Sequence, residues 1–367
     1  MKNNRRDWLK TVGLGIAGLS LSSFDFLEKT NLDVKISSSL KFPISLESNE
    51  NPYRPSPLAK KAMMKNIDFS NRYGWIQIPK LKKEIVIQNN VNENNILLDA
   101  GSTKLLELVL QFAGLHKGNF ITPELTYSYW MSPYNIYGLE KITIPLKENK
   151  HQDLEKTLDT INNNTKMVFI CNPNNPTGIL CKREEIIDFI DQVPKNVIIL
   201  IDEAYIEFTD EKSLCNLIFK YPNLIITRTF SKIRGLAGAR VGYAMADKNM
   251  IKTLCELQSW PNGSLSNISI AAAISATKDV EFLQKTKQLN NTVKEYTIDA
   301  LEKLNIKCIP SKTNFLYLSL EEYPKDYFKQ LEKNRILGTK IYEEKGKWTR
   351  ITIGTIEEMQ YFIQALS

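Results

Sequence analysis

The sequence predicts an α/β fold, in which a large domain with a mostly parallel central sheet is followed by a smaller α+β domain. Strand-like and helix-like segments alternate from about residue 75 to 265, as in parallel strands joined by crossover helices. Residues 167–171 and 197–201 are short, almost continuous apolar runs, which is typical of strands buried on both faces. After residue 265 the chain is more charged and helical, which indicates a second, smaller unit.

The remaining elements follow in chain order. In the large domain, strands are predicted at 96–99, 120–122, 141–144, 224–230 and 240–246, and helices at 104–112 and 184–192. In the smaller domain the pattern predicts one long helical stretch over 264–304, strands at 315–320 and 349–353, and helices at 324–334 and 356–366. The predicted division is a tail (1–30), an arm that completes the small domain (31–74), the large domain (75–265) and the small domain (266–367).

Composition excludes several classes of function. The chain has 367 residues, of which 43% are hydrophobic, so it can bury a large core. Its net charge of +7 is modest and partly confined to the N-terminal tail, which argues against a nucleic-acid partner. Five widely spaced cysteines and two histidines predict neither a disulfide framework nor a metal site. The chemistry must therefore depend on other side chains.

The N-terminal tail resembles an export signal. Arg5 and Arg6 precede an aromatic residue, a leucine and a lysine, and a mildly apolar, glycine-rich run follows over 11–23. This layout is similar to a twin-arginine signal, so we expect export to the periplasm, with a disordered cytoplasmic tail as the alternative. The run is too short for a transmembrane helix, so no stable membrane association is expected beyond the signal. Its G-x-G-x-x-G pattern at 13–18 follows no predicted strand, so nucleotide binding is not expected.

Three polar motifs follow the ends of three predicted strands. They are Asn172-Pro-Asn-Asn-Pro-Thr-Gly178, Ile201-Asp-Glu-Ala-Tyr205 and the segment Thr229–Tyr243. Open α/β sheets bind ligands outside the carboxyl ends of their strands. The sequence therefore predicts one site at this edge of the sheet.

The residue types in these motifs predict a pyridoxal-phosphate (PLP) enzyme. Lys232 can form a Schiff base with an aldehyde, while Thr229, Ser231 and Arg240 can hold the phosphate of the same cofactor. The segment Gly101-Ser-Thr103 opens a predicted helix, whose N-terminal N–H groups also suit a phosphate.

Three further roles complete the prediction. Asp202 can pair with the ring nitrogen and keep it protonated, so that the ring accepts electrons. Asn175 and Tyr205 can donate hydrogen bonds to the phenolate oxygen. Once the substrate amine has displaced Lys232, this lysine is free to move a proton between two carbons.

With these residues the chain resembles the fold-type I PLP aminotransferases, and within them the histidinol-phosphate aminotransferase family, over residues 42–367. Segment 47–53 (E-S-N-E-N-P-Y) resembles the family's N-E-N-P-Y, Arg72-Tyr73 its R-Y-P, and segment 126–128 its T-Y-S. Segment 350–354 resembles its R-I-T-x-G.

The resemblance implies a homodimer with the PLP-transferase fold of type I. Tyr127 would stack on the cofactor ring, and Tyr73 would reach the cofactor phosphate of the partner subunit. Tyr53, Arg350 and Lys340 are assigned to the substrate. The implied reaction is amino transfer from an amine donor to a 2-oxo acid such as 2-oxoglutarate.

The chain also departs from the family pattern. Arg54 replaces a glycine, Gly74 replaces a proline, and Leu337-Gly-Thr-Lys340 replaces V-R-P, so that Lys340 offers a point charge without the forked geometry of arginine. The donor is therefore left open between histidinol phosphate and an aromatic amino acid whose carboxylate Arg350 would hold. A PLP-dependent decarboxylase or lyase acting on a phosphorylated amino acid is the alternative, because fold does not determine chemistry. A non-catalytic PLP-binding protein is a third hypothesis.

Overall fold

A seven-stranded sheet organises most of the chain. The computed structural model describes residues 40–367, and the tail with its predicted export signal lies outside the described residues. In chain order the strands are β1 (Ile44–Ser45), β2 (Ile96–Asp99), β3 (Gly118–Pro123), β4 (Leu139–Ile144), β5 (Thr165–Cys171), β6 (Ile198–Asp202), β7 (Leu224–Thr229), β8 (Gly242–Ala246), β9 (Lys307–Ile309), β10 (Phe315–Ser319), β11 (Ile336–Leu337) and β12 (Trp348–Thr352).

The large sheet has the strand order β2-β8-β7-β6-β5-β3-β4. Strand β8 runs antiparallel to both of its neighbours, and all other neighbouring pairs are parallel. The predicted mostly parallel sheet is therefore confirmed. Strands β5, β6 and β7 lie side by side, so the motifs that follow them meet at one edge.

Residues 40–367 also form α-helices. They are α1 (Pro57–Asn66), α2 (Gln77–Asn89), α3 (Ser102–Ala113), α4 (Leu154–Thr160), α5 (Arg183–Gln192), α6 (Lys248–Glu256), α7 (Asn267–Lys278), α8 (Val280–Glu302), α9 (Tyr327–Lys333) and α10 (Ile356–Leu366). Along β5, Val168 and Ile170 join one apolar core while Met167 and Phe169 join the other. Burial of both faces explains why this strand reads as a continuous apolar run.

The single helical stretch predicted over 264–304 is wrong in one respect, because it consists of two helices, α7 and α8. The break falls at Asp279, whose side chain accepts a hydrogen bond from the Phe282 N–H at 3.2 Å and caps α8. An aspartate in this position stabilises a new helix start in preference to a helix interior. Helix α7 packs against α1 and α2, and its Ile270 belongs to the core of the large sheet.

The C-terminal part forms a smaller antiparallel sheet in the order β12-β10-β9. Strand β1 of the N-terminal arm pairs in parallel with β11 of the C-terminal part. Residues Phe42–Ser367 form one compact unit, so the predicted boundary at residue 265 stays a prediction.

Within residues 40–367, none of the helices is both long and apolar enough to cross a membrane. The same range holds no group of three or more His, Cys, Asp or Glu side chains arranged to bind a metal ion.

Candidate active site

A cavity of about 420 Å³ opens at the edge of the large sheet where β5, β6 and β7 end. The start of α3, the residues after β7 and the C-terminal sheet also contribute to its walls. Eleven of the predicted site residues line it: Ser102, Thr103, Tyr127, Asn175, Asp202, Tyr205, Thr229, Ser231, Lys232, Arg240 and Arg350. The parallel topology therefore brings the predicted motifs together.

The Lys232 amine projects into this cavity from the turn after β7. Its Nζ donates hydrogen bonds to the carbonyl oxygens of Ser48 at 3.3 Å and Asn49 at 3.4 Å. Burial, and then the nearby Arg350 guanidinium, lower the pKa of Lys232 to about 8. An amine with a lowered pKa is more often neutral at physiological pH and is thus a better nucleophile.

Asp202 is a buried carboxylate at the end of β6. Its Oδ1 accepts a hydrogen bond from Thr227 Oγ1 at 3.1 Å. Burial raises the pKa of Asp202 to about 7, against the opposing effect of the hydrogen bonds from Thr227 and the Ala204 N–H. A protonated ring nitrogen would offset this desolvation by placing a positive charge beside the carboxylate.

Hydroxyl groups, one guanidinium and a helix N-terminus converge on one end of the cavity. Thr229 Oγ1 donates to Ser231 Oγ at 2.9 Å, and Arg240 Nη1 lies 3.5 Å from the same Ser231 oxygen. Gly101, just before α3, has a φ of +87°, and a Cβ there would overlap the Arg240 guanidinium. Glycine is therefore required for the start of α3 to approach Arg240. This set of donors fits a phosphate dianion.

Two tyrosines supply the aromatic surface and a phenolic donor. Tyr127 OH and Thr103 Oγ1 are 2.9 Å apart. Tyr205 OH accepts a hydrogen bond from Asn49 Nδ2 at 2.9 Å, and burial raises its pKa, so the phenol keeps its proton. Because Asn49 occupies an acceptor position, the Tyr205 proton is free to be donated into the cavity.

Arg350, on β12, is the main cation of the opposite wall and is only 7% exposed. Its Nη1 donates to Asn175 Oδ1 at 2.6 Å, and its Nη2 donates to the Glu47 carbonyl oxygen. The buried Nε has no partner within the described residues. The bond from Arg350 occupies the Asn175 oxygen and orients the amide, which leaves the Asn175 nitrogen as the predicted donor.

Four predicted site residues do not line the cavity, namely Gly101, described above, and Tyr73, Tyr53 and Lys340. Tyr73 is 68% exposed and packs edge-on against Trp260, with ring centroids 5.0 Å apart. Burial, with the negative charge at the start of α10, raises the pKa of Tyr53 to about 12. Lys340 is exposed, and its carbonyl oxygen accepts a hydrogen bond from Thr349 Oγ1 at 2.9 Å. Of the three predicted substrate residues, Arg350 therefore lines the cavity, and Tyr53 and Lys340 do not.

The sequence motifs did not identify several of the residues that line the cavity. Glu47, Ser48, Asn49 and Glu50 line the cavity, as do Tyr129 and Tyr342. The segment 47–50 carried a signal, since it belongs to the stretch that resembles N-E-N-P-Y, but no chemistry had been assigned to it. Tyr342 carried none, because it lies in the irregular segment before β12 and reaches the cavity only through folding.

Comparison with known proteins decides the family. The family described as aminotransferase class I and II matches residues 43–366. The chain belongs to this family. A histidinol-phosphate aminotransferase from Brachyspira hyodysenteriae is 34% identical over 330 residues, which cover 88% of this chain and 91% of the relative. The predicted enzyme class is confirmed: this chain is a transaminase.

Two solved structures show the same fold. Histidinol-phosphate aminotransferase from Sinorhizobium meliloti, in complex with pyridoxal-5'-phosphate, is similar with a TM-score of 0.82 and 23% identity, over 89% of this chain and 90% of that one. L-threonine-O-3-phosphate decarboxylase from Porphyromonas gingivalis is similar with a TM-score of 0.73 and 22% identity, over 88% of this chain and 98% of that one. The predicted PLP-transferase fold of type I is therefore confirmed.

Proposed function

We propose that this PLP-dependent aminotransferase takes its amino group from histidinol phosphate and passes it to a 2-oxo acid such as 2-oxoglutarate. The observation that carries the proposal is the buried Arg350, which shares one cavity with Lys232 and forms no ion pair within residues 40–367. A buried cation without a counter-ion is an expected binding point for an anionic substrate group. The similarity to histidinol-phosphate aminotransferases supports this donor.

The cavity residues divide into holding and proton-transfer roles. When bound, pyridoxal phosphate supplies an aldehyde for the amine and a ring that accepts electrons. Arg240, Ser231 and the start of α3 bind its phosphate, and Asp202 keeps a positive charge on its ring nitrogen. Lys232 moves the proton between two carbon atoms, a task that suits its pKa of about 8.

An aromatic amino acid is the second candidate donor. Tyr129 and Tyr342 line the cavity and would pack against an aromatic side chain, while Arg350 would hold the carboxylate. The predicted second phosphate contact, Lys340, lies outside the cavity, which weakens the grip on a phosphorylated substrate relative to a site with two arginines.

The test uses the yellow holoenzyme and single amine donors without any 2-oxo acid. We expect histidinol phosphate to remove the yellow absorbance band, with phenylalanine, tyrosine and glutamate slower. Lys232→Ala is expected to bind the cofactor, but its rate of conversion should fall at least about 10⁴-fold, because the variant has lost the group that transfers the proton. Lys312→Ala, an exposed lysine, is the matched control. Release of carbon dioxide from a phosphorylated amino acid would instead support the decarboxylase alternative.

We further propose that the enzyme is a homodimer. Tyr73, Trp75 and Trp260 form an exposed aromatic cluster, with ring centroids 5.0 to 6.1 Å apart, and Ile76 beside them is 76% exposed. A large exposed apolar patch is typical of an interface between proteins. Sedimentation of the wild type should give a mass twice that of one chain. For Trp75→Glu the measured mass should move towards that of the monomer. A monomeric wild type would contradict this proposal.

The proposal of export through the twin-arginine pathway depends on the sequence of the tail alone. Replacement of both Arg5 and Arg6 by lysine should retain the protein in the cytoplasm, while the wild type should be found in the periplasmic fraction. An equal distribution of the two proteins would favour the cytoplasmic alternative.

A further inference from the structure

A buried arginine anchors the turn that carries Lys232. Arg234 lies two residues after Lys232, is only 5% exposed and does not line the cavity. Its forked guanidinium donates to both carboxylate oxygens of Glu207, from Nη2 to Oε1 at 2.5 Å and from Nε to Oε2 at 3.3 Å. Its remaining nitrogen, Nη1, donates to the Ala276 carbonyl oxygen at 2.5 Å. All three nitrogens of Arg234 are therefore engaged.

The Arg234–Glu207 pair joins two segments that contribute to the cavity. Glu207 lies two residues after Tyr205, in the 3₁₀ turn that follows the motif 201–205. Inside the cavity, Lys232 Nζ lies 5.6 Å from the centre of the Tyr205 ring. The ion pair therefore ties together, outside the cavity, the two segments whose side chains meet inside it.

A second arginine completes this buried network. Arg228 Nη2 lies 3.2 Å from Glu207 Oε1, and its Nη1 donates to Asn89 Oδ1 at 2.9 Å. Burial opposes ionisation of Glu207, but the guanidiniums of Arg234 and Arg228 outweigh it and lower the pKa of Glu207 below its ordinary value. Glu207 is therefore charged at neutral pH. It also keeps a counter-ion when Arg234 is replaced, so that such a variant leaves no unpaired buried charge.

Arg234 also connects the turn to helix α7. Ala276 lies in the last turn of this helix, where backbone carbonyl groups have no partner within the helix. The guanidinium satisfies one of these groups and places a positive charge at the negative end of the helix dipole. Because α7 packs against α1 and α2, the turn is fixed to a packed element.

The direction of the Lys232 side chain depends on how well its turn is held. Asn51 Nδ2 donates to the Ile233 carbonyl oxygen at 2.7 Å, and the contacts of Arg234 fix the next residue. The lysine stem is flexible, so its amine reaches a set point only if the backbone that carries it stays in place. Misplacement of a reacting group by about 1 Å can lower a rate about a hundredfold.

We propose that Arg234 is a positioning residue for Lys232, which sets the direction in which the reacting amine projects by holding Glu207 and the Ala276 carbonyl oxygen together. This inference rests on the proposed role of Lys232. A buried ion pair contributes little net stability, whereas its forked geometry is specific. Loss of the fork should therefore affect the rate of the reaction more than the melting temperature.

The first measurement follows the combination of pyridoxal phosphate with the apoprotein, which needs neither substrate nor turnover. The rate at which the yellow band appears should rise with pH as the Lys232 amine loses its proton, with a midpoint of about 8 in the wild type. In Arg234→Met the loosened turn exposes this amine to water. Since burial is the largest cause of the lowered pKa of Lys232, the midpoint should rise by about one pH unit. The charged groups that act on the amine and are unchanged in this variant are Arg350, Asp202, Glu50 and Arg240.

The second measurement is steady-state kinetics with the donor that converts the holoenzyme fastest. For Arg234→Met, kcat should fall about thirty- to a hundredfold, whereas KM should change by less than about twofold because Arg350 is untouched. Arg234→Lys keeps the charge but cannot hold Glu207 and the Ala276 carbonyl oxygen at once, so its kcat should fall about tenfold.

Phe189→Leu, a substitution in the buried core at α5, is the matched control. It should lower the melting temperature without changing kcat or the pH midpoint, which separates positioning from a general loss of stability. Arg234→Lys, which preserves the buried charge balance, decides the question if Arg234→Met does not fold.

Wild-type kcat and an unchanged midpoint in the Arg234 variants would overturn the inference, as would a loss of kcat no larger than that of Phe189→Leu. If the wild-type apoprotein forms no yellow band with pyridoxal phosphate, the proposed role of Lys232 has failed. If the band forms and the Arg234 variants behave as the wild type, only the positioning inference has failed.

Discussion

The two walls of the cavity are held together in different ways. The wall that we propose binds the cofactor, called here the cofactor wall, consists of the ends of β5, β6 and β7 with the start of α3. The backbone ladder sets its spacing, since Asp202 lies opposite Cys171 and Thr227 in adjacent strands. The wall that we propose binds the substrate, called here the substrate wall, consists of residues 47–50, Tyr342 and Arg350. Its segments lie about 300 positions apart in the chain and are joined by hydrogen bonds such as Asn49 N–H to Thr352 Oγ1.

This difference indicates which wall of the cavity tolerates amino-acid substitutions. Ladder hydrogen bonds do not depend on side-chain identity, so the cofactor wall keeps its geometry through most substitutions near it. The substrate wall depends on a few side chains, chiefly Arg350 and Asn49, and a single substitution there alters the shape and charge that the substrate meets. Donor preference can thus change while cofactor binding is retained.

The largest expected effect comes from the cofactor wall. Asp202→Asn should lower kcat/KM about a thousandfold or more, because the amide cannot stabilise a protonated ring nitrogen. Conversion of the yellow band by histidinol phosphate measures the loss. Asp210→Asn, an exposed aspartate, is the control. A loss of less than about tenfold would mean that Asp202 does not act on the cofactor ring.

The same substitution has an opposite effect on the apoprotein. Burial raises the pKa of Asp202 to about 7, above its value in the unfolded chain, so its contribution to stability is present at low pH and lost as the pH rises through about 7. Asp202→Asn removes this loss of stability at high pH, because an amide does not ionise. The apoprotein melting temperature at pH 8 should rise by about 2–4 °C, with a smaller rise at pH 5. An equal effect at both pH values would contradict this origin.

An intermediate effect is expected on the substrate wall. Arg350→Lys should lower kcat/KM about a hundredfold through KM, because lysine cannot hold Asn175, the Glu47 carbonyl oxygen and a substrate anion at once. The yellow band should be unchanged, since Arg350 does not hold the cofactor phosphate.

Lys340→Ala tests the sequence-based assignment of Lys340 to the substrate. From its place outside the cavity we expect less than about a twofold change, and a loss as large as that of Arg350→Lys would restore the assignment.

A small effect is expected from a contact that supports the substrate wall from outside. Lys150 Nζ lies 2.6 Å from Glu343 Oε2, and Tyr317 OH donates to Glu343 Oε1 at 2.6 Å, next to the cavity residue Tyr342. Glu343→Gln should raise KM about threefold at unchanged kcat, as expected for a partly buried ion pair of about 1 kcal/mol. Glu107→Gln, which breaks the more exposed pair with Lys104, is the control. Equal effects of the two variants would show that the Glu343 pair does not support the cavity.

The sequence alone was sufficient to predict the cofactor wall. Each motif follows an apolar strand, and in a parallel sheet the carboxyl ends of neighbouring strands lie at one edge, so Asn175, Asp202 and Lys232 had to meet. Residue type then indicated the chemistry, because a lysine between hydroxyls, with a carboxylate on the next strand, suits few cofactors. Local pattern and one topological rule were enough.

Only the tertiary structure decided the substrate wall. No periodicity places Glu47, Asn49 and Glu50 beside Arg350, and nothing in the sequence brings Tyr342 into the cavity or keeps Lys340 out. The physical reason is that contacts between distant segments depend on the summed packing of the whole chain, whereas strand ends follow from local pattern and sheet geometry.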